Sequence, residues 1–241
     1  MNALTDARLA LADLEGDGDG EVVALVAPTK DRYAHGVLGD AVEATAVVVL
    51  ERHSLAVRWR LDLPSPFVFE DLSLRPVRFG GQDRLAVVRS SAKGGAALAL
   101  VGLSANRLEV TAAEDFGQPN RWLNPLVGFG TLYAVHTPHI GGVLNQYSLV
   151  GNKLSRAARL EGVSSHRIGS RHLESALVVA VNRLVVPRQD HRGLVAITCT
   201  QGRCVVTSEV AFGAAYSSNM IRFGAGLAMA AEDRKLYFWT P

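Results

Sequence analysis

Five acidic residues near the amino terminus have the spacing of a calcium-binding loop. They lie in the sequence DLEGDGDGE (13–21), whose glycines permit the positive φ values that a tight loop needs. Ca²⁺ binds six to eight hard oxygen atoms, and alternate residues of such a loop direct several oxygens at one point. The pattern predicts one structural Ca²⁺ site, with a solvated acidic hairpin as the alternative. Its ligands would be Asp13, Glu15, Asp17, Asp19 (through its carbonyl) and Glu21, of which Glu15 fits a calcium cage least well.

Two cysteines flank the sequence TQGR, in which Gln201-Gly202 is typical of a two-residue hairpin turn. In that register Cys199 lies opposite Cys204, close enough for a disulfide bond. Two small apolar strand residues with free thiols are the alternative. An oxidised pair would favour a periplasmic or otherwise exported location, since disulfides persist in oxidising compartments.

Composition and charge argue against several classes of protein. The sequence has 25 Lys and Arg residues against 23 Asp and Glu residues, without a prominent basic run. This balance argues against nucleic acid as a partner, because phosphate binding needs a concentrated cationic face. The longest apolar stretches are about eight residues, too short for membrane insertion. Residues 1–16 lack the basic segment and cleavage site of a secretion signal.

Strand-like runs recur along the whole chain, separated by clusters of Gly, Pro, Asn and Asp. Aligned with one another, they form one unit that is used five times. The first strands cover 9–13, 76–79, 126–129, 176–181 and 220–223. The second strands cover 21–28, 84–90, 131–138, 183–187 and 227–232. The third strands cover 45–50, 97–103, 143–149, 194–199 and 235–239, and fourth strands cover 56–62, 109–114, 156–161 and 205–210.

This repeat predicts an all-β protein that is a single β-propeller domain over residues 1–241, with five four-stranded blades. The fifth unit ends after its third strand, and we expect residues 2–5 to supply the fourth and close the ring, which would remove two exposed sheet edges. A β-sandwich and a six-bladed propeller are the alternatives. The blades would cover approximately residues 8–62, 72–114, 124–161, 174–211, and 220–241 together with 1–5.

The acidic segment 13–21 resembles the loop of FG-GAP or VCBS-type repeats, the calcium-binding blades of integrin α-subunit propellers. Five further segments are similar to parts of exported alphaproteobacterial FG-GAP repeat proteins, a group of unknown function. They are DRYAHGVLGDAVEA (31–44), FED (69–71), NRWLNP (120–125), TPHIGG (137–142) and SSHRIGSR (164–171). The resemblance implies a propeller with calcium in its blades. Only the first unit keeps an acidic loop, so it implies one Ca²⁺.

Most of the unusual polar residues fall in connections that a propeller places on one face. Asp71, Asn120, His166 and Asn219 come just before inner strands, where they would ring the mouth of a central channel. The predicted ligand-binding face contains Arg32, Tyr33, His35, Asp40, Glu70, Asp71, Asn120, Arg121, Trp122, His139, His166, Arg171 and Asn219.

Several residues of this face also have simpler interpretations. Its arginines would bind an anionic group of a ligand or pair with the nearby acids. The histidines His35, His139 and His166 would bind a transition metal or cap backbone carbonyls. Trp122 would stack on a sugar ring or pack in the core.

Three functions are compatible with this face. The first is non-enzymatic binding of a small molecule, glycan or protein. The second is a carbohydrate-active enzyme: a hydrolase needs two carboxyls about 5–10 Å apart, here from Asp40, Glu70 and Asp71, and a lyase needs a base such as His139 or His166. The third is a structural subunit of a larger assembly, which would expose a large apolar patch. The sequence contains no nucleophile motif, phosphate loop or dinucleotide fingerprint.

Overall fold

The computed structural model describes residues 1–170 and 172–241, and these residues form an all-β structure. A single 3₁₀ turn at Gly36–Leu38 is the one helical element among them, and none of them belongs to a helix that is long and apolar enough to span a membrane. The strands are β1 (Ala10–Ala12), β2 (Glu21–Thr29), β3 (Glu43–Leu50), β4 (Val57–Asp62), β5 (Val68–Phe69), β6 (Arg75–Phe79), β7 (Gln82–Ser91), β8 (Gly95–Ser104), β9 (Arg107–Ala112), β10 (Leu123–Gly128), β11 (Thr131–His136), β12 (Val143–Val150), β13 (Lys153–Glu161), β14 (Leu177–Ala180), β15 (Arg183–Pro187), β16 (Gly193–Thr200), β17 (Arg203–Ala211), β18 (Ile221–Phe223), β19 (Gly226–Ala230) and β20 (Leu236–Trp239).

The burial of each strand follows from its sequence pattern. The central strands β3 and β8 are mostly apolar, and nearly all their residues are buried on both faces. The outer strands β13 and β17 alternate between more buried and more exposed residues, as expected for a strand with one face towards solvent. Every strand predicted from the repeat is present, with ends that differ by at most three residues.

The strands form four antiparallel sheets, and in three of them the strands pair in the order of the chain. The orders are β10-β11-β12-β13, β14-β15-β16-β17 and β18-β19-β20, while β1 to β9 form one nine-stranded sheet. The nine-stranded sheet contains the first two predicted units, joined by β5. In β5, Phe69 pairs with Ala44 of β3 on one side and with Arg89 of β7 on the other. The repeat did not predict β5, because two residues are too few to show a periodicity.

The amino-terminal segment does not occupy the place predicted for it. Ala3 forms an antiparallel bridge with Val26 of β2, and the last sheet consists of three strands. The short β1 pairs with β2 only over Glu21–Val23, so the backbone further along β2 needs another partner. The Leu4 N–H donates to the Leu25 carbonyl, and Leu4 is buried in the same apolar cluster as Leu25. The predicted completion of the last sheet by residues 2–5 is therefore wrong.

Contacts divide the chain into two compact units, each with its own apolar core. The first unit comprises Met1–Pro125 and Leu149–Ser155. Its main core contains Leu25, Val47, Phe69 and Leu85. The second unit comprises Leu126–Ser148 and Arg156–Pro241, and its cores contain side chains such as Tyr133, Leu184, Ile197 and Met229.

The predicted cysteine hairpin is confirmed. Cys199 of β16 pairs with Cys204 of β17, and the two form a disulfide with their Cα atoms 4.0 Å apart. Gln201 and Gly202, at the turn, both have positive φ values, as a tight two-residue hairpin requires. Both cysteines are buried in a core of the second unit, so the disulfide joins two strands inside that core.

Candidate functional site

Glu70 is the centre of a buried polar cluster in the first unit. Its side chain has no exposed surface, and each carboxylate oxygen has a partner. Oε1 lies 2.5 Å from His35 Nδ1, and Oε2 accepts a 2.5 Å hydrogen bond from the Ser90 hydroxyl. Its backbone is also held, since the Glu70 carbonyl accepts the indole N–H of Trp122 at 2.9 Å. We use the name Glu70 cluster for Tyr33, His35, Glu43, Glu70, Ser90 and Trp122.

The connection between β2 and β3 brings Tyr33 and His35 to this cluster. The 3₁₀ turn Gly36–Leu38 anchors the connection, because its Val37 and Leu38 side chains are buried. The Tyr33 hydroxyl accepts the backbone N–H of Asn120 at 3.0 Å, which ties a second connection to the first. His35 has 18% of its side chain exposed, whereas the other members are almost fully buried. Solvent therefore reaches the cluster mainly at His35.

Asp71, the neighbour of Glu70, has a structural role, because hydrogen bonds from the surrounding chain engage its carboxylate. Its Oδ1 accepts the backbone N–H groups of Leu72 and Ser73. Its Oδ2 accepts the N–H of Val88 and a hydrogen bond from Arg75 at 2.8 Å. Because these donors engage both oxygens, Asp71 holds the turn between β5 and β6.

Glu43, the first residue of β3, lies near Glu70, the residue that follows β5. The antiparallel pair Ala44–Phe69 brings these two neighbouring residues together, and the charge of Glu70 acts on Glu43. Only 3% of Glu43 is exposed. Burial raises the pKa of Glu43 to about 10, helped by the negative charges of Glu70, Asp40, Asp71 and Asp6. Glu43 is therefore a neutral acid at pH 7.

The electrostatics of Glu70 and Tyr33 follow from the same burial. Burial raises the pKa of Glu70, against the opposing effect of its hydrogen bond with His35. Burial also raises the pKa of Tyr33, which therefore keeps its proton. The cluster combines one neutral acid, a second carboxyl group hydrogen-bonded to an imidazole, and a phenol.

The remaining predicted residues of the first unit bond mainly to the backbone. Arg32 donates to the carbonyls of Leu63 and Phe67, beside an open cleft of about 420 Å³. Arg121 donates to the Asn120 carbonyl. The Asp40 carboxylate accepts the Val42 N–H. Trp122 is buried, so its ring packs in the core instead of presenting a face to solvent.

In the second unit, two of the predicted histidines are neighbours. The ring centroids of His139 and His166 lie 5.3 Å apart, and His166 Nε2 is 2.6 Å from the Ser170 carbonyl. Burial lowers the pKa of His166 to about 4, against the opposing effect of the hydrogen bond to Ser170 and with the help of three nearby histidines. The Asn219 side chain accepts the backbone N–H of Glu174. Arg171 lies outside the described residues.

In the predicted calcium loop, the carboxylates bind groups of the protein itself. The Asp13 carboxylate accepts the backbone N–H groups of Gly16, Asp17 and Gly18, and Asp17 accepts that of Asp19. Arg58 of β4 lies 2.5 Å from the Glu15 carboxylate and 3.5 Å from that of Glu21. Glu21 also accepts the Leu14 N–H. A guanidinium thus supplies the positive charge between Glu15 and Glu21, and these two residues do not fit a calcium cage.

A different group in this region has ligand atoms that converge. Within the described part of the chain, Asp19, Glu51 and His53 form one group that could hold a metal ion, with ligand atoms within 4.8 Å of one another. Hydrogen bonds, from the Ser54 hydroxyl and from the backbone of His53 and Ser54, lower the pKa of Glu51 to about 2. Asp19 is the residue that this group shares with the predicted loop.

Sequence reasoning missed Glu43, Ser90 and Arg58. A signal existed for Glu43, because an ionisable residue begins the otherwise apolar run EATAVVVL (43–50). Ser90 and Arg58 lie in strands, and their roles arise from contacts across the sheet that no local pattern shows. Comparisons with protein-family models and with curated proteins find no match for this chain.

Proposed function

We propose that the protein is a non-enzymatic, FG-GAP/VCBS-type five-bladed β-propeller that binds a small molecule, glycan or protein on the face predicted to surround its channel. The sequence repeat and the sequential antiparallel sheets support this fold. The disulfide supports an exported location, since such bonds persist in oxidising compartments. Neither nucleic acid nor membrane insertion forms part of the proposal.

The Glu70 cluster is the observation that supports binding. It joins three separate connections of the chain through Tyr33, Glu70 and Trp122. Burying such polar groups costs free energy, and an imidazole that is 18% exposed and bonded to a rigid buried carboxyl group is a typical binding arrangement. We therefore expect the ligand to contact His35, the member of the cluster that reaches solvent.

A ligand screen tests this proposal. Purified protein is scanned by thermal shift against neutral sugars, sugar acids, amines and amino acids, and each hit is measured by calorimetry. We expect His35→Ala to weaken binding at least tenfold, because the contact to the ligand is lost. Arg107→Ala, an exposed residue of β9 in the same unit, is the control and should bind normally. Equal affinity of the His35→Ala variant and the wild type would reject the Glu70 cluster as the site.

The carbohydrate-active alternative receives less support from the geometry. Asp71 is engaged by Arg75 and backbone donors, so Glu43 and Glu70 are the buried carboxyl pair that remains beside the exposed Asp40. Both are almost completely buried, and neither reaches a glycosidic bond unless the β2–β3 connection moves. Hydrolysis of a panel of glycosides that is lost in Glu43→Gln would favour an enzyme.

We propose Ca²⁺ as the cation, on the resemblance to FG-GAP repeats, at the group of Asp19, Glu51 and His53. Two carboxylates offer the hard oxygens that Ca²⁺ prefers. An imidazole is instead typical of transition-metal sites, so Zn²⁺ is the competing ion.

The last sheet favours a second candidate function, as a subunit of an assembly of identical chains. Its four exposed apolar side chains Ile221, Phe223, Leu236 and Phe238 are each more than half exposed. Strand β20 lies at the edge of this sheet and has no charged residue in Leu236–Trp239. Such an edge is a template for strand pairing, and two copies of one edge pair through a two-fold axis. We propose that β20 of a second copy is the occupant.

A further inference from the structure

A cleft of about 420 Å³ opens in the first unit where β2, β3, β4 and the β2–β3 connection meet. Its walls include Thr29 of β2, Thr45 of β3 and Arg60 of β4, together with Arg32 of the connection. Strand β3 pairs with β2 on one side and with β4 on the other, so these walls are built on a rigid sheet. The volume lies in the range of pockets that hold small molecules, about 300–1,000 Å³. No member of the Glu70 cluster lines this cleft, which is therefore a separate site.

The guanidinium of Arg32 is fixed along one side and open along the other. Its Nη1 atom donates to the Leu63 carbonyl at 2.9 Å and to the Phe67 carbonyl at 3.1 Å. Its Nε and Nη2 atoms have no hydrogen-bond partner among the described residues, and both are accessible to solvent. The two carbonyls thus orient the guanidinium in advance. Its open edge offers two parallel N–H donors, the arrangement that binds both oxygens of a carboxylate.

The second arginine of the cleft shows what this edge can bind. Arg60 donates through its Nε and Nη2 atoms to both carboxylate oxygens of Asp62, whereas Arg32 forms no ion pair with an acid in the described part of the chain. These three side chains together carry two positive charges and one negative charge. The exposed neighbours Lys30 and Asp31 have opposite charges and cancel. One carboxylate would therefore neutralise the cleft, while a phosphate dianion would leave an excess negative charge.

We infer that this cleft binds a small hydroxylated carboxylic acid, such as a sugar acid, with both carboxylate oxygens on the open edge of Arg32. Two threonines suit the hydroxyl groups of such a ligand. The Thr29 hydroxyl oxygen accepts the Asp31 N–H, and its proton is available to a ligand. The Thr45 hydroxyl donates to the Ala27 carbonyl, and its oxygen can still accept a hydrogen bond. This binding site goes beyond the proposed function, which concerns the Glu70 cluster.

Three probes with one sugar ring and different charges test the ligand class. Calorimetry of the full chain at pH 7 is done with glucuronate, glucose and glucose 6-phosphate. We expect glucuronate to bind at least tenfold more tightly than glucose, because only the acid engages the Arg32 edge, and more tightly than glucose 6-phosphate. Its affinity should fall at high salt, since the cleft is open to solvent. The inference is overturned if glucuronate does not bind, if glucose binds equally well, or if the phosphate binds more tightly.

Two variants test the role of Arg32. Arg32→Lys keeps the charge and a donor for the two carbonyls but removes the two-donor edge, and it should bind glucuronate at least tenfold more weakly. Arg107→Lys, at an exposed arginine of β9, is the matched control and should bind normally. Asp62→Asn leaves the bonds of Arg32 in place and changes a side chain that is 58% exposed, so it should fold. Loss of its negative charge should tighten glucuronate binding by up to about fivefold.

The two variants decide the inference independently of each other. It is overturned if Arg32→Lys, folded as judged by circular dichroism, binds glucuronate as the wild type does. It is also overturned if Asp62→Asn does not bind glucuronate more tightly than the wild type, which keeps the test decisive should Arg32→Lys fail to fold.

His35→Ala separates this cleft from the Glu70 cluster. We expect this variant to bind glucuronate as the wild type does, because His35 does not line the cleft. Glucuronate binding that is lost in His35→Ala and kept in Arg32→Lys would overturn the inference and support the proposed function instead. Ligands whose affinity Arg32→Lys leaves unchanged remain the test of the proposed function.

Discussion

The guanidinium of Arg58 lies 2.5 Å from the carboxylate of Glu15, inside the loop whose sequence resembles a calcium site. The same guanidinium is 3.5 Å from Glu21, the last acid of that loop. A side chain of the neighbouring strand β4 thus supplies the positive charge that a bound cation would otherwise bring. In this respect the first unit departs from the repeats that its sequence resembles.

Replacing Arg58 by glutamine should make this loop sensitive to calcium. Loss of the ion pair should cost about 1 kcal/mol or less, since Arg58 is partly exposed. Glu15 and Glu21 would then repel each other, and we expect added Ca²⁺ to raise the melting temperature of the variant more than that of the wild type. Melting curves with Ca²⁺ and with a chelator measure this effect. An equal response of both proteins would show that Arg58 does not replace a cation.

Mutation of His53 should distinguish the two ions proposed for the Asp19, Glu51 and His53 group. Calorimetric titration with Zn²⁺ and with Ca²⁺ is compared between the wild type and His53→Ala. If Zn²⁺ binds, the variant should lose at least tenfold in Zn²⁺ affinity, because the imidazole is its preferred ligand there. If Ca²⁺ binds instead, its affinity for the variant should be close to that for the wild type, because the two carboxylates would hold it. If neither ion binds to the wild type, the group is not a metal site.

The buried Glu43 should make the protein less stable as the pH rises. Its folded pKa, about 10, lies above its usual value of 4.5, so its stabilising contribution is complete below pH 4.5 and is lost progressively up to about pH 10. We expect Glu43→Gln to be more stable than the wild type at pH 8.5, and the two to be closer at pH 5. Urea denaturation at several pH values measures the difference. Parallel stability curves would mean that Glu43 is ionised at neutral pH.

Reduction of the Cys199–Cys204 disulfide should destabilise the second unit. The bond closes a short hairpin, and the chain-entropy relation gives about 2 kcal/mol for a loop of this length. A double replacement by serine should unfold at a lower urea concentration and should not respond to a reductant, whereas the wild type should. Thiol titration of the unreduced protein should find no free cysteine. Two titratable thiols would contradict the disulfide and the oxidising location.

A charge on β20 should reveal whether its edge pairs with a second copy. If it does, the wild type should be a dimer by light scattering at micromolar concentration. Phe238→Asp should then be a monomer, because it places a carboxylate on the exposed apolar face of that strand. Val150→Asp, at another exposed apolar position, is the matched control and should remain dimeric. A monomeric wild type would reject the second candidate function.

The parts of the fold that could be predicted from sequence are those encoded by local periodicity. The apolar run of β3 and the alternation of β13 identify these strands, and Gln201-Gly202 fixes the register that pairs Cys199 with Cys204. The partner of residues 2–5 could not be predicted, because it depends on how much of β2 the short β1 leaves unpaired.

The candidate site also combines residues that could be recognised from the sequence with residues that could not. Tyr33, His35 and Glu70 stand out as polar residues in connections, and the structure brings them together. The role of Glu43 was hidden, because it depends on β5, a strand too short to leave a pattern. Arg58 was missed because its charge acts across strands on a loop more than thirty residues away in the chain.

Strand β5 also affects how the first unit unfolds. Its two residues hydrogen-bond the strands of the first repeat to those of the second, so neither repeat has an edge of its own along that line. In a chain of independent repeats, one member opens while its neighbour stays folded. Here, opening either of the first two repeats breaks pairs that the other one needs. These two repeats should therefore exchange their amide hydrogens as one cooperative block.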